Sequence, residues 1–296
     1  MLHVGLFDTN SERHLKLCKA RSGSSGILEV TVQIIVPIKQ VPETSNVKMD
    51  PATGTVIRAG VETVVNPLDL YALETALRLK EKYGGSVTVI TMGPSPAIKA
   101  LKEAVAMGCD RAVLVSDRKF GGSDTWATSY TLAQAIRKLG AYDLIIAGER
   151  ATDGDTAQVG PGIAAWLDIP LATYVAKINK LADGVLTLER LVEEGYQQLS
   201  VPLPALLTVV KEIAAPRLPT LRGKKTAKHM EIPVFTSENM PIDPSFLGLK
   251  GSPTKVVKID TPKVTRGGRT ALANDDDAVG TAVKQLIGFL HEKGLV

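Results

Sequence analysis

A glycine-rich loop, Gly148–Gly162, holds the residues of this chain that are best suited to binding a ligand. It follows the apolar run Leu144–Ala147, which predicts a buried parallel strand, and it precedes Ile163–Leu167, which predicts a helix. Open α/β sheets bind ligands at the carboxyl ends of their strands, and the amides of a helix N-terminus attract a phosphate. The loop therefore predicts a nucleotide-phosphate site, although a capped strand–helix loop without a ligand explains it equally well.

The loop combines residue types with different expected roles. Gly148 and Gly154 let the backbone approach a ligand closely or adopt a positive φ, and the Thr156 hydroxyl can form a hydrogen bond to that ligand. Asp153 and Asp155 would repel a phosphate. We therefore expect their carboxylates to contact a ribose, backbone amides or a helix cap.

Composition narrows the classes of function. The 296-residue chain is 44% hydrophobic, which is enough for a large core, and its net charge of +4 does not indicate nucleic-acid binding. No apolar run approaches the roughly 18 residues that cross a membrane. The cysteines and histidines show no disulfide or metal-ligand spacing, so we expect no metal site and a reducing, cytoplasmic location.

The order of strand and helix signals predicts the fold. Residues 1–29 do not resemble the rest of the chain, and we expect them to be disordered or an artefact. From Val30–Val36 onward, strands alternate with helices, and a short extra strand is predicted at Thr55–Ile57. The first helix starts at Asn66-Pro67, with Asn66 as the candidate N-cap. Residues 30–215 therefore predict an α/β nucleotide-binding domain with a doubly wound, mostly parallel sheet.

The second half of the chain has a different pattern. Four strand signals follow Pro170: Thr173–Ile178, Val185–Leu191, Tyr196–Val201 and Leu206–Val210. We expect the first three to extend the sheet with antiparallel strands. Regular signal is lost beyond Ala214 until a final helix, capped by Asn274–Asp277, that carries an apolar face. We expect residues 216–296 to be a recognition segment and an arm that packs on another chain, the alternative being a solvated tail.

Familiar catalytic motifs are absent from the sequence. There is no G-x-G-x-x-G after the first strand, no G-x-x-x-x-G-K-[ST], no G-x-S-x-G and no H-E-x-x-H. A stand-alone ATP-pyrophosphatase or nucleotide-sensing domain would need a phosphate-binding glycine loop after the first strand, which Pro37–Gln40 does not offer. The expected pocket has no evident general acid or base. We predict a nucleotide holder without catalytic residues, in which any demanding chemistry belongs to a cofactor.

Segments along most of the chain resemble the β subunit of electron transfer flavoprotein. They are Lys39–Pro42, Val65–Pro67, Ala72–Glu74, Met92–Pro94, Ala106–Arg111, Gly148–Pro161, Pro202–Thr208 and Pro216-Arg217. The resemblance runs from about Val30 to the C-terminus. It implies a heterodimer with an FAD-carrying α subunit, in which the β subunit holds AMP in the ordinary type and a second FAD in the electron-bifurcating type.

The resemblance also implies which residues bind the nucleotide. They are Pro37, Lys39, Asn66, Pro67, Leu68, Asp69, Met92, Asp124, Thr125, Thr128, Gly148, Arg150, Asp153, Gly154, Asp155, Thr156, Ala157, Gln158 and Val159. Most of these positions follow the ends of predicted strands, which a parallel sheet brings to one edge.

Two stretches resemble the bifurcating type, Phe120–Ser129 and Asp153–Pro161. Their small and hydroxyl residues leave room for a flavin and a diphosphate, although branch markers without a second flavin would look the same. The bifurcating type implies that FAD takes a hydride from NADH and passes one electron to ferredoxin or flavodoxin. The other electron passes through the α-subunit FAD to an acyl-CoA dehydrogenase or a quinone reductase. The alternative is an ordinary subunit with structural AMP that passes electrons from acyl-CoA dehydrogenases.

The resemblance places a recognition segment for acyl-CoA dehydrogenases at Val210–Lys225. Leu221 aligns with its apolar anchor. The implied partner-binding charges around it are Arg217, Arg222, Lys224 and Lys225. An exposed leucine ringed by charge suits a small interface with one hot spot and an electrostatic rim.

Overall fold

The computed structural model describes residues 31–43, 62–257 and 270–296. The chain divides into two compact units, with the boundary between Val257 and Lys258. The predictions for residues 1–29 and for a strand at Thr55–Ile57 lie outside the described residues.

The first unit is built on a large sheet. In chain order the strands are β1 (Val32–Pro37), β2 (Gln40–Pro42), β3 (Thr63–Val65), β4 (Gly85–Met92), β5 (Arg111–Val115), β6 (Leu144–Gly148), β7 (Leu171–Ala182), β8 (Val185–Val192), β9 (Gly195–Pro202), β10 (Ala205–Val209) and β11 (Val234–Phe235). Within the described residues, nine of them form one sheet in the order β11-β5-β4-β1-β6-β10-β7-β8-β9, and β2 pairs with β3. Strand pairs from β11 to β7 are parallel, whereas β8 and β9 join antiparallel.

Helices cover both faces of this sheet. In chain order the helices of this unit are α1 (Pro67–Tyr83), α2 (Ile98–Met107), α3 (Thr125–Leu139), α4 (Val159–Leu167) and α5 (Leu221–His229), and the second unit holds α6 (Asp276–Glu292). Neighbouring residues of β1 show the two faces, because side chains alternate along a strand. Ile34 packs with Leu73 of α1 and Leu101 of α2, and Ile35 packs with Ile136 of α3 and Ile163 of α4. The predicted doubly wound, mostly parallel α/β fold is confirmed.

One prediction for the second half of the chain is wrong. β7 pairs in parallel with β10, so only β8 and β9 extend the sheet antiparallel. Regular structure also continues beyond Ala214, because α5 forms and β11 adds to the edge strand β5. Residues 216–257 thus pack on their own chain, with Met240 buried in the same cluster as Tyr130. Packing of residues 270–296 on a partner stays a prediction.

The second unit contains α6. Asp275, within the predicted cap, accepts a hydrogen bond from the Ala278 amide at 2.7 Å. The apolar side chains of Val283 and Leu286 are 48% and 57% exposed. Nowhere in the described ranges does a helix combine the length and the apolar character needed to cross a membrane.

Candidate functional site

Asp69 is a buried carboxylate at the carboxyl edge of the sheet, in the first turn of α1. Its Oδ2 accepts a hydrogen bond from the Lys39 amide, which follows β1, at 2.7 Å. A Cβ atom on Gly148, at the end of β6, would lie 2.4 Å from its Oδ1, so this position tolerates only glycine. Asp69 is 6% exposed, and its carboxylate connects the segment after β1 to the first turn of α1. Contact of Asp69 with the nucleotide stays a prediction.

Asn66 precedes α1 and is fully buried. Its side chain forms no capping hydrogen bond with the helix, contrary to the prediction. Instead, Nδ2 donates to the Arg150 carbonyl at 2.9 Å and Oδ1 accepts from the Thr152 amide at 3.2 Å. Asn66 therefore fixes the beginning of the loop that follows β6.

The same loop presents free backbone amides where it enters α4. Within the described ranges, no protein acceptor receives a hydrogen bond from the amides of Thr156 to Gly160. Ala157 has a left-handed φ of 54°, and Gln158 follows with a φ of −102°. Consecutive residues of opposite handedness turn their amides to one side and make a concave anion site, which the α4 N-terminus reinforces. The arrangement fits a phosphate group.

Ion pairs neutralise the acidic residues of this loop. Asp153 pairs with Lys39 at 2.6 Å, and Asp155 pairs with Arg150 at 3.0 Å. The sequence suggested a ribose, amides or a cap as their contacts, because Lys39 lies 114 residues from Asp153 and leaves no local signal of that pair. Each pair is partly exposed and individually weak. Together they reduce the repulsion between these carboxylates and a bound phosphate.

The second glycine-rich loop ends at Asp124, close to the first. A Cβ atom on Gly162 would lie 2.6 Å from Ser129 Oγ, so α3 and α4 are in close contact near their N-termini. Asp124 caps α3 by accepting a hydrogen bond from the Ala127 amide at 3.0 Å. It also accepts one from the Thr254 hydroxyl at 2.7 Å. The carboxylate that was predicted to bind a cofactor thus already binds its own chain.

The other predicted nucleotide residues follow strand ends or lie in helix first turns. Leu68, Met92, Thr125 and Thr128 are half-buried, Pro67 and Gly154 are exposed, and Pro37 is buried. The structure brings the predicted strand ends and loops to one edge of the sheet, and it withdraws the side chains of Pro37 and Asp69 from the surface.

The predicted partner-binding residues separate into two groups. The exposed ones are Leu221, Arg222, Lys224 and Lys225. Arg217, by contrast, is half-buried and pairs with Glu74 and Glu81 of α1, and its predicted role in the charged rim stays a prediction. Sequence reasoning did not single out Leu218, which is 86% exposed. The sequence could have pointed to Leu218 only as an apolar residue within the recognition segment.

The buried carboxyl of Asp69 should make stability depend on pH. Burial raises its pKa to about 7, although hydrogen bonds from Lys39 and Asn66 lower it. An unfolded aspartate titrates near pH 4, so from about pH 4 to pH 7 the unfolded state binds fewer protons than the folded state. The free energy of unfolding therefore falls by about 1.4 kcal/mol for each pH unit in this range. Asp69→Asn keeps an acceptor and cannot titrate. We expect its melting temperature to rise relative to wild type from pH 5 to pH 7; parallel melting curves would contradict this.

Comparisons with known proteins identify the family. The family model described as "Electron transfer flavoprotein domain" matches residues 53–239. The chain is 48% identical to the electron transfer flavoprotein subunit beta of Thermoanaerobacterium thermosaccharolyticum, over 86% of this chain and 98% of that protein. It is 45% identical to the caffeyl-CoA reductase-Etf complex subunit CarD of Acetobacterium woodii, over 88% of this chain and 97% of that protein. It is also 45% identical to protein FixA of Azotobacter vinelandii, over 82% of this chain and 89% of that protein. The chain therefore belongs to the electron transfer flavoprotein family, among its β subunits.

Proposed function

We propose that this chain holds a second FAD in a heterodimer with an FAD-carrying α subunit. When bound, FAD supplies hydride acceptance from NADH and one-electron transfer, both to ferredoxin or flavodoxin and, through the α-subunit flavin, to an acyl-CoA dehydrogenase or a quinone reductase. The amides of Thr156 to Gly160, which donate to no acceptor in the part of the chain that the structure describes, are the observation that carries the proposal, because they make an anion site at a helix N-terminus.

The contribution of this chain is to bind and orient the nucleotide. The amides of Thr156 to Gly160 bind a phosphate, and Asn66 holds the preceding loop in place through Arg150 and Thr152. Lys39 reduces the negative charge of the loop because it pairs with the Asp153 carboxylate. None of these groups is needed as a general acid or base.

The neighbouring N-terminus of α3 bears on the choice between FAD and AMP. The contact of Gly162 with Ser129 brings α3 and α4 together near their N-termini, which supports a diphosphate that reaches both helices. Asp124 favours the alternative of an ordinary subunit with AMP. Its carboxylate already occupies the α3 N-terminus and would repel a second phosphate.

We propose two protein interfaces for this subunit. Residues 270–296 pack on the α subunit, where α6 buries its apolar face. Leu221 anchors the recognition segment on an acyl-CoA dehydrogenase, with the exposed cations of α5 at the rim of the contact. The relative CarD is named as a subunit of a caffeyl-CoA reductase-Etf complex, which supports a partner that acts on CoA esters.

The nucleotides released by denaturing the purified heterodimer test this proposal. We expect two FAD per heterodimer, quantified by chromatography against protein concentration. One FAD and one AMP would overturn the second flavin and support the ordinary subunit. One FAD with no further nucleotide would overturn both assignments of the pocket.

A further inference from the structure

Arg217 lies four residues before α5, and its side chain binds residues of its own chain. Its Nε donates to Glu74 Oε2 at 2.7 Å, and its backbone amide donates to the same oxygen at 3.1 Å. Nη2 donates to Glu81 Oε2 at 3.1 Å, and Nη1 donates to the other Glu81 oxygen. Glu74 is only 3% exposed, so its charge depends on this pairing.

Glu74 is held from its other side by Arg78 of the same helix. Arg78 Nε donates to Glu74 Oε1 at 2.7 Å, and its Nη2 reaches the Ala215 carbonyl at 3.5 Å. Two arginines and one buried glutamate therefore attach residues 215 and 217 to α1. This attachment fixes the chain four residues before α5 begins at Leu221.

α5 packs closely on α2 but buries few of its own side chains. Ala227 is its buried residue, and the other positions of this helix are exposed or half-buried. The Thr220 amide donates to the Ala106 carbonyl of α2 at 3.2 Å. A Cβ atom on Gly223 would lie 2.1 Å from the same oxygen, so the helix N-terminus sits directly on the α2 backbone. With so little side-chain burial, the direction of α5 depends on how the chain enters it.

We infer that Arg217, which Glu74 and Glu81 hold in place, is a positioning residue. It presents Leu218 and Leu221 to the acyl-CoA dehydrogenase. We call these three charged residues the Arg217 clamp. The inference rests on the docking role proposed above for this segment. Both leucines are 86% exposed and lie within four residues of Arg217. Arg217 does not meet the partner itself, because its guanidinium donors already bind the two glutamates.

Arg217→Lys separates positioning from charge. Lysine keeps the positive charge but lacks the planar fork that binds two carboxylates at once. A residue that touched an acidic partner directly would tolerate lysine better than a clamp residue does. Lys228→Arg is the matched control, since it is an equally conservative change at an exposed position of α5.

Hydrogen–deuterium exchange of the purified heterodimer tests the clamp directly. Peptides that cover residues 218–229 should exchange about tenfold faster in Arg217→Lys, because the segment opens more often. They should exchange as in wild type in Lys228→Arg and in Leu221→Ala. Exchange over Gly148–Gly162 should be unchanged in all three variants. Wild-type exchange over residues 218–229 in Arg217→Lys would overturn the clamp.

Steady-state kinetics with an acyl-CoA dehydrogenase that accepts electrons from the heterodimer link the clamp to docking. The KM for the heterodimer should rise in both Arg217→Lys and Leu221→Ala, with kcat unchanged, since both variants weaken encounter and leave electron transfer intact. Faster exchange in Arg217→Lys without any change of KM in either variant would support the clamp and overturn the docking role. A raised KM in Arg217→Lys with wild-type exchange would overturn the clamp and favour direct contact.

Discussion

Removal of residues 258–296 should abolish stable association with the α subunit. Within this segment, α6 carries apolar side chains that are 46–57% exposed: Val279, Val283, Leu286 and Ile287. Their spacing places them on one face of the helix. Burial of their exposed surface in an interface is worth about 4 kcal/mol, or roughly a thousandfold in affinity.

Co-expression of the truncated chain with the α subunit measures this effect, by the stoichiometry of the purified pair and its melting temperature. Leu286→Asp should mimic the truncation, and Gln285→Asp is its control because it adds the same charge at the neighbouring polar position. A truncated chain that co-purifies with the α subunit at wild-type stoichiometry and melting temperature would show that residues 258–296 form a solvated tail.

The fold is predictable from the sequence because its signals are local. The β-branched run of β1 and the apolar stripes of α1 and α3 each lie within one element, and the glycines at helix ends mark the boundaries. Sheet order is a property of tertiary pairing. β10 therefore reads as one more apolar strand, and the sequence does not show that it inserts between β6 and β7.

α5 escapes prediction for a compositional reason. Its apolar residues are essentially Leu221 and Ala227, which are too few to form a stripe with helical periodicity. The strand β11 is only two residues long and depends on the edge of β5 for its hydrogen bonds. Tertiary contacts with α1, α2 and β5 hold this part of the chain, so its structure cannot be inferred from local pattern.

The candidate site is predictable in place but not in its contacts. The loop after β6 is identifiable from its glycines and from the strand that precedes it. The partners of its residues are distant along the chain: Asn66 bonds to Arg150, 84 residues away, and Lys39 to Asp153, 114 residues away. For that reason, the sequence suggests capping for Asn66, whereas the structure makes it a support for the loop.

Ala157→Pro should remove the nucleotide from this subunit. Ala157 has a φ of 54°, whereas proline fixes φ near −65° and lacks an amide hydrogen. Proline also restricts Thr156 before it, so the run of amides from Thr156 to Gly160 cannot keep its concave shape. Ala157→Gly is the matched control, because glycine keeps the amide and adopts a positive φ without strain.

The measurement that bears most directly on the phosphate site is the nucleotide content of three purified heterodimers: wild type, Ala157→Gly and Ala157→Pro. We predict that wild type and Ala157→Gly release the nucleotide of this subunit together with the α-subunit FAD. We predict that Ala157→Pro still pairs with the α subunit but releases its FAD alone. If Ala157→Pro pairs normally and releases the same nucleotides as wild type, the amides of Thr156 to Gly160 do not hold the phosphate.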